Sequence, residues 1–245
     1  MERHIVPQIN ASILVNAVYA MVNYPVVLVN TLLAPLSMLA VVTFATHGGL
    51  IRVASEGALI MLMVSSGTSL QGDLSHLKND MRLQDMVVSS PTSALTYVFG
   101  MAVSEIVYSV PSILVLALIS SFFLHLGPLQ LLFFILDLAL VFTFSITLGF
   151  MLSTFSSDIV QSWAFSRLIS PILSTLPPVY YPITYIPFPF RYLAFISPTT
   201  YAAAIAQNLA GLRQSPLPIW ADWTVLVAVT AVMLFIGAKK SKWRE

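Results

Sequence analysis

Three ionisable residues lie inside long apolar stretches of this sequence and are its first candidates for function: Glu105, Asp137 and Arg167. Charged groups are costly in lipid and usually face the interior of a helix bundle or a wet cavity, where they mark transport or proton pathways. At a rise of 1.5 Å per residue, Glu105 and Arg167 lie about 18 and 12 Å from the nearer ends of their helices. Their similar depth predicts an ion pair, whereas Asp137 lies nearer the other face.

Purely structural roles are the alternative for these three groups. The long Arg167 side chain could extend to the membrane surface while its stem stays in lipid. Asp137 could bind a neighbouring hydroxyl. This alternative is weakest for Glu105, because a carboxylate has less reach.

Familiar catalytic and cofactor-binding patterns are missing from the sequence. It contains no GxxxxGK[ST] phosphate-binding loop, no HExxH and no GxSxG. It has no cysteine, and its four histidines stand alone, without a second ligand at helical spacing. We therefore predict no catalytic residue, no metal and no cofactor in this chain, which would work by moving rather than as an enzyme.

The composition is that of an integral membrane protein. Of 245 residues, 58% are hydrophobic and 9% charged, with a mean hydropathy of +0.88, whereas about a quarter of the residues in a soluble domain are charged. The net charge of +1 gives no field that would attract nucleic acid. A bilayer requires about 20 apolar residues per helix. This predicts an all-α polytopic fold in one domain, residues 1–245, with six spans near 25–45, 57–71, 93–124, 129–152, 159–176 and 220–238.

Residues 1–23 are expected to form an interfacial helix. Their polar side chains recur three or four residues apart, which puts them on one face of a helix whose remainder is mostly apolar. Tyr24-Pro25 then makes a natural break. The alternative is the start of an overlong first span. The polar stripe consists of Gln8, Ser12, Asn16, Tyr19 and Asn23.

Lysine and arginine set the predicted orientation, because cytoplasmic loops are enriched in them. With six spans and both termini inside, eight basic residues lie on or near the cytoplasmic face and three lie outside. The chain is therefore predicted to be a multi-pass protein of the cell membrane with both termini cytoplasmic. The inner residues are Arg3, Lys78, Arg82, Arg167, Lys239, Lys240, Lys242 and Arg244, and the outer ones are Arg52, Arg191 and Arg213.

The inner segment 73–90 is predicted to be a short amphipathic helix. One face is apolar, and charges of both signs surround it, which suits docking into a groove of a partner protein. A solvated connector is the alternative. The apolar face consists of Leu74, Leu77, Met81 and Val88, and the charges are Lys78, Asp80, Arg82 and Asp85.

The stretch 171–211 holds seven of the 15 prolines. It cannot cross a membrane as one helix, because each proline removes a backbone donor and clashes with the preceding turn. We predict an external cap of broken helices over 177–211, with aromatic side chains at headgroup level. Its expected residues are Tyr180, Tyr181, Pro182, Tyr185, Pro187, Phe188, Phe190, Arg191, Tyr192 and Pro198.

Two stripes of small residues, each with a spacing of four, predict close packing of helices. They are Ser145, Gly149 and Ser153 in the fourth span and Ser162, Ser166, Ser170 and Ser174 in the fifth.

The order of these features resembles the membrane subunit of type-two ABC exporters, a family of permeases for drugs, lipids and cell-surface polysaccharides. The likeness covers the whole chain. One specific part is RLQDMVVSSP at 82–91, similar to the family's segment leading into an "sPvs" turn. The other is PITYIP at 182–187 with ISPTTY at 196–201, similar to its "P…lP…inPlty" signature.

The resemblance implies a dimeric permease, paired with a second copy or a paralogue, and two separate ABC ATPase subunits that carry ATP and Mg²⁺. Segment 73–90 would be the coupling helix, and closure of the ATPases would open a path for a hydrophobic or amphipathic substrate. The alternative is an ion- or proton-coupled secondary transporter with Glu105 and Asp137 as carriers. Such proteins commonly contain internal repeats, and the two halves of this sequence show no clear similarity.

The charge bias predicts the topology directly. A reporter fused after Glu245 should be active only in the cytoplasm, and a tag inserted within 211–218 should be reached from outside the cell. Protease accessibility in intact cells and in inverted vesicles measures both. Finding the two sites on one side would contradict the six-span prediction.

Overall fold

The computed structural model describes residues 5–79, 94–156, 158–212 and 216–240, and these form helices and turns with no strand. The predicted all-α class is confirmed. In chain order the elements are α1 Ile5–Asn23, which contains a π-helical segment Leu14–Val18, α2 Pro25–Ala45, α3 Ile51–Asn79, α4 Ala94–Ser121, α5 Pro128–Phe155, α6 Ile159–Ser174, a 3₁₀ turn Ile183–Tyr185, α7 Arg191–Ala194, α8 Pro198–Leu209 and α9 Ile219–Lys240.

Five of the described helices are long and apolar enough to cross a membrane: α1, α3, α4, α5 and α9. The predicted first span, α2, contributes a shorter apolar stretch, Thr31–Ala45, and the predicted fifth span, α6, has 16 residues. The polytopic class is confirmed. The number of crossings, the interfacial position of α1 and the side of each terminus stay predictions.

Local sequence explains where two of these helices begin. α2 starts at Pro25, because the first turn of a helix does not need the N–H that proline lacks. α6 is capped by Asp158, whose carboxylate accepts a hydrogen bond from the backbone N–H of Gln161 at 2.7 Å. Both ends thus follow from the chemistry of single residues.

The helix that contains the predicted second span, about 57–71, extends beyond it at both ends. Arg52, Glu56 and Asp73, which the prediction left outside the span, all belong to α3. The Arg52 guanidinium donates to the carbonyl oxygen of Ala210 at 3.1 Å, and Glu56 is buried among other helices. Neighbouring protein therefore supports charges that lipid alone would not, and the helix continues through them.

The α3 helix is the centre of the bundle, in contact with α2, α4, α5, α6 and α8. Every side chain from Val53 to Val64 is buried. A helix that is apolar and buried all round is surrounded by protein rather than by solvent or lipid. The other helices are thus arranged around α3.

Close approach of α3 and α5 depends on glycine. A Cβ atom built on Gly67 of α3 would lie 2.5 Å from the Cβ of Ser145 on α5, and one built on Gly149 would lie 3.0 Å from the carbonyl oxygen of Gly67. Ser145, Gly149 and Ser153 are all buried. The small-residue stripe of α5 therefore packs against α3, as its spacing predicted.

The serine stripe of α6 also faces α3, with Gln71 at the middle of the contact. The hydroxyl of Ser162 donates to the Gln71 carbonyl oxygen at 3.2 Å, and Ser166 donates to its side-chain oxygen at 3.0 Å. The Gln71 amide donates in turn to Ser156 at 3.3 Å. Gln71 is fully buried, and these hydrogen bonds satisfy its side chain and its carbonyl oxygen.

The Gly67 contact can be tested with one methyl group. Gly67→Ala should destabilise the fold by about 1–3 kcal/mol, because the new Cβ meets backbone and Cβ atoms that cannot move independently. The thermal unfolding midpoint in detergent measures the loss. The matched control is Gly72→Ala on the same helix, where the nearest atom is 3.2 Å away on the exposed ring of Trp163. Equal midpoints for the two variants would contradict the close seam.

Candidate functional site

A cavity of about 530 Å³ lies among α1, α2, α3 and α4. Tyr24, at the junction of α1 and α2, lines one side, and α3 and α4 form the other. Part of the lining is apolar, including Val15, Ala20 and Ala34, and part is polar. Its volume lies in the range of pockets that bury a drug-sized molecule.

Two carboxyl groups line this cavity, from Glu105 on α4 and Asp73 on α3. Glu105 is 8% exposed, and the hydroxyl of Ser69 donates to its Oε2 atom at 2.9 Å. Asp73 lies one helical turn beyond Ser69 and close enough to Glu105 for the two carboxyl groups to interact. None of the described lining residues is basic. The cavity therefore concentrates acidic groups next to apolar surface.

Three hydroxyl groups at the cavity have no hydrogen-bond partner among the described residues. They belong to Ser66 of α3 and to Tyr108 and Ser109 of α4, and each oxygen is buried. Buried polar groups in folded proteins are nearly always hydrogen-bonded to protein or to ordered water. The hydrogen-bonding capacity of these three hydroxyls at the cavity is thus unused within the described structure.

The π-helical segment of α1 contributes to the wall. Val15 and Asn16 lie in it and line the cavity. The Asn16 side-chain amide donates to the carbonyl oxygen of Ser12 at 3.1 Å, and the Ser12 hydroxyl lies 3.1 Å from that of Ser104 on α4. Part of the predicted polar stripe of α1 therefore faces protein. The sequence signalled a polar face, but not that a π-segment, which is frequent at functional sites, would form it.

The predicted ion pair between Glu105 and Arg167 is wrong. The Arg167 side chain is exposed on α6, with its guanidinium 5.7 Å from the ring centroid of Trp163. Glu105 instead contacts Ser69 and Asp73. The predicted pairing depended on the depth of the two residues in the membrane and took no account of the side of its own helix on which each residue lies. Because α6 turns its serine stripe to α3, Arg167 is rotated by about 100° from that contact.

Asp137 is fully buried on α5, and neither of its carboxyl oxygens has a hydrogen-bond partner in the described part of the chain. The expected bond to a neighbouring hydroxyl is thus not observed there. Glu56 of α3 lies near enough to interact with it and is 2% exposed. Glu56 was not among the candidates because the predicted second span, 57–71, begins one residue after it, whereas the helix begins at Ile51. The spacing of four between Arg52 and Glu56 could have signalled a continuing helix.

The predicted cap residues divide into an exposed and a buried group. Tyr185 and Pro187 are exposed, whereas Pro182 and Pro198 are buried. Tyr181 and Arg191, which are half-buried, donate hydrogen bonds to backbone carbonyl oxygens: the Tyr181 hydroxyl to that of Leu176 at 2.9 Å, and the Arg191 guanidinium to those of Thr184 and Ile186 at 3.2 and 3.3 Å.

Tyr180 holds the cap against α3. It was expected at headgroup level, yet it is fully buried, and its hydroxyl donates to the sulfur of Met61 at 2.8 Å. Next to it, the carbonyl oxygen of Val179 lies only 2.5 Å from where a Cβ on Gly57 would be. The glycine lets the irregular cap backbone reach the helix directly.

The segment predicted to couple to a partner is only partly described. Its first seven residues, 73–79, are not a separate helix but the end of α3, and Leu74 is buried there rather than free to dock. Leu77 and Lys78 lie in the last turns of the same helix. Asp80, Met81, Arg82 and Asp85 lie outside the described residues. The helix continues because Gln71 and Ser75 pack against α6 and its cap, which holds the chain beyond the apolar stretch.

Five of the described helices are thus long and apolar enough to cross a membrane, and a partly polar cavity lies among four of the helices. The chain belongs to the ABC-2 type transporter family, whose model matches residues 11–209. It is thus a permease component of ABC-type transport. A search of curated proteins gave no significant match.

Access to the cavity can be measured with an introduced cysteine, because the sequence has none. Ser69→Cys should react with a small methanethiosulfonate reagent, since Ser69 is exposed at the cavity. The adjacent Thr68→Cys should stay unreacted, because Thr68 is 2% exposed and turned into the bundle. Mass spectrometry of the intact protein gives both extents. Equal labelling at the two positions would show that the cavity is not a defined opening.

Proposed function

We propose that this chain is the permease of an ATP-driven exporter that moves a hydrophobic or amphipathic substrate across the cell membrane. It works as a dimer with a second copy or a paralogue. ATP and Mg²⁺ are bound by separate ABC ATPase subunits, because the sequence has no phosphate-binding loop. Family membership supports the permease role, and the cavity supports an amphipathic substrate.

The observation that best supports this proposal is that α3 is one continuous helix. The helix lines the cavity with Ser65, Ser66, Ser69 and Asp73 and continues without a break to Asn79. The segment proposed to dock on the ATPase, 73–90, begins within the last turns of this helix. A continuous helix transmits a displacement at one end to the other, so movement at the docking segment reaches the cavity wall.

One contact inside the cavity is placed to respond to such movement. The hydroxyl of Ser69 on α3 donates to Glu105 on α4 at 2.9 Å. On its other side, α4 is held by α1, where the Ser12 Cβ atom lies 3.2 Å from a Cβ built on Gly100. A tilt of α3 against the α1–α4 pair would therefore separate Ser69 from Glu105 and widen the cavity.

Movement of α3 is shared by the helices fixed to it. The close contact at Gly67, the Gly67 seam, joins α3 to α5. The hydrogen bonds of Gln71 join α3 to α6. These three helices would move as one body, because packed interfaces shift as units rather than deform continuously. The substrate path then opens and closes between two bodies.

The decisive experiment is reconstitution with an ATPase. The tagged permease should co-purify with the ABC ATPase subunit encoded nearest to it, and inverted vesicles holding both should accumulate a fluorescent amphiphile only with ATP. Vanadate should stop this uptake, and a protonophore should not. Uptake that the protonophore abolishes while ATP has no effect would support the ion-coupled alternative instead.

The docking segment can be tested separately. Leu77→Ala combined with Met81→Ala should weaken association with the ATPase by more than about 2 kcal/mol, because truncated interface anchors typically cost that much. Size-exclusion profiles should stay those of the unaltered permease. Leu118→Ala, at an exposed position of α4, is the control. Unchanged association and transport in the double variant would show that the segment is only a connector.

A further inference from the structure

We propose that the cavity among α1, α2, α3 and α4 binds an amphipathic organic cation, with its positive group beside the contacting carboxyl groups of Glu105 and Asp73. This inference names the substrate class at the proposed transport site and rests on that proposed function. The positive group would be an ammonium or another delocalised organic cation, and the remainder of the molecule would be apolar.

The charges of the cavity favour this class of ligand. The two carboxyl groups of its lining, those of Glu105 and Asp73, lie close enough to interact, and none of the described lining residues carries a positive charge. Asp73 is exposed, whereas Glu105 is buried, and near a buried group opposite charges attract and like charges repel more strongly than in bulk water. An anionic guest would meet this repulsion, whereas a cation would be stabilised by two carboxyl groups.

The unpartnered hydroxyls give the second, independent indication of a ligand. Ser66 and Ser109 are 3% and 1% exposed, and neither hydroxyl oxygen has a partner in the described part of the molecule. A hydroxyl rotates freely and offers two lone pairs as well as one proton. These oxygens can accept hydrogen bonds from an ammonium group or turn their dipoles towards a cation that has no N–H.

The rest of the cavity suits the apolar part of such a molecule. Val15, Ala20 and Ala34 provide aliphatic surface. The side chains of Tyr24 and Tyr108 add aromatic rings, whose faces attract cations and whose edges pack against apolar groups. At about 530 Å³, the cavity has room for one molecule with several rings or a short acyl chain.

The second pair of buried carboxyl groups, Glu56 and Asp137, does not form a comparable site. Both lie in the packed contact of α3 and α5, and neither lines the cavity. Asp137 therefore provides a control with a buried carboxyl group that lies outside the cavity and should not contact the ligand.

The experiment uses two probes of the same size and opposite charge, tetraphenylphosphonium and tetraphenylborate. The full-length permease is placed in nanodiscs, and binding of each labelled probe is measured against empty nanodiscs. We expect saturable binding of tetraphenylphosphonium at one site per chain and no saturable binding of tetraphenylborate. Saturable binding of both probes, or of the anion alone, would overturn the proposal.

Single substitutions test whether tetraphenylphosphonium binds in the cavity. Glu105→Gln should weaken tetraphenylphosphonium binding by at least about tenfold, because it removes the buried charge partner. Glu105→Asp should restore most of the affinity, and Asp137→Asn should leave it unchanged. Size-exclusion profiles show whether each variant is folded. Full affinity in a folded Glu105→Gln variant would contradict the proposed site.

The same nanodiscs identify the source of the cation. Those made of phosphatidylglycerol contain no amine, and a series with added phosphatidylethanolamine tests competition. Competitive loss of probe binding would assign the site to a lipid headgroup amine, and unchanged binding would assign it to a soluble amphipathic cation. Either result retains the cationic class.

Failure of this inference is distinct from failure of the proposed function. If the permease co-purifies with an ATPase and carries out ATP-driven uptake, but does not bind tetraphenylphosphonium in preference to the anion, only the substrate class is wrong. If the cation binds but no ATP-driven uptake occurs with the ATPase, the cavity is a cation-binding site and the exporter proposal is wrong.

Discussion

The structure depends on how closely α3 and α5 approach each other. With Gly67 facing Ser145, and Gly149 facing the backbone of Gly67, the two helices pack nearly backbone to backbone. Hydrophobicity cannot drive such contact inside lipid, where tails are as apolar as side chains, so van der Waals packing and hydrogen bonds must hold the helices together. The seam places α3 at the centre, and the cap, the cavity and the serine contacts are all built on that helix.

Polar groups are distributed around α3 in three different ways. On the α6 side they are satisfied, because the Gln71 side chain and carbonyl oxygen meet Ser162, Ser166 and Ser156. On the α4 side, Ser69 and Glu105 meet at a cavity. On the α5 side, Glu56 lies in packed protein. A fully satisfied polar contact rigidifies, whereas a cavity with unsatisfied groups admits a guest, so one helix combines a fixed face with a binding face.

Much of this arrangement could be predicted from the sequence, but only where one residue type has one physical consequence. Pro25 begins a helix, and serines four residues apart mark a packing face. Arg167 shows the limit. Its depth follows from counting residues. Its direction depends on which side of α6 meets α3, and this is decided by packing against Gln71, which is far away in the chain. The start of α3 shows the same limit, because the helix begins before the predicted span and Glu56 is buried in protein that lies far away in the sequence.

The cavity itself could not be predicted, since four helices and a π-segment form it and no short motif encodes their meeting. Glu105 was recognised as a candidate because a carboxyl group is rare at that depth. Asp73 was not, because in sequence it looked like the first residue of a loop. Its role depends on α3 continuing past it, which the hydrogen bond from Ser75 to the carbonyl oxygen of Asp158 helps to stabilise.

The length of α3 gives its contact with Val179 and Tyr180 of the cap a geometric consequence. With 29 residues the helix is about 43 Å long, and a tilt of about 5° around its middle would shift each end by roughly 2 Å and Gly57, which meets the cap, by roughly 1 Å. Because the Val179 carbonyl oxygen already lies 2.5 Å from where a Cβ on Gly57 would be, the cap must move with the helix. A displacement of the Asn79 end of α3 therefore also moves the end that contacts the cap. The position of the cap on one surface of the protein thus depends on the position of the opposite end of the helix.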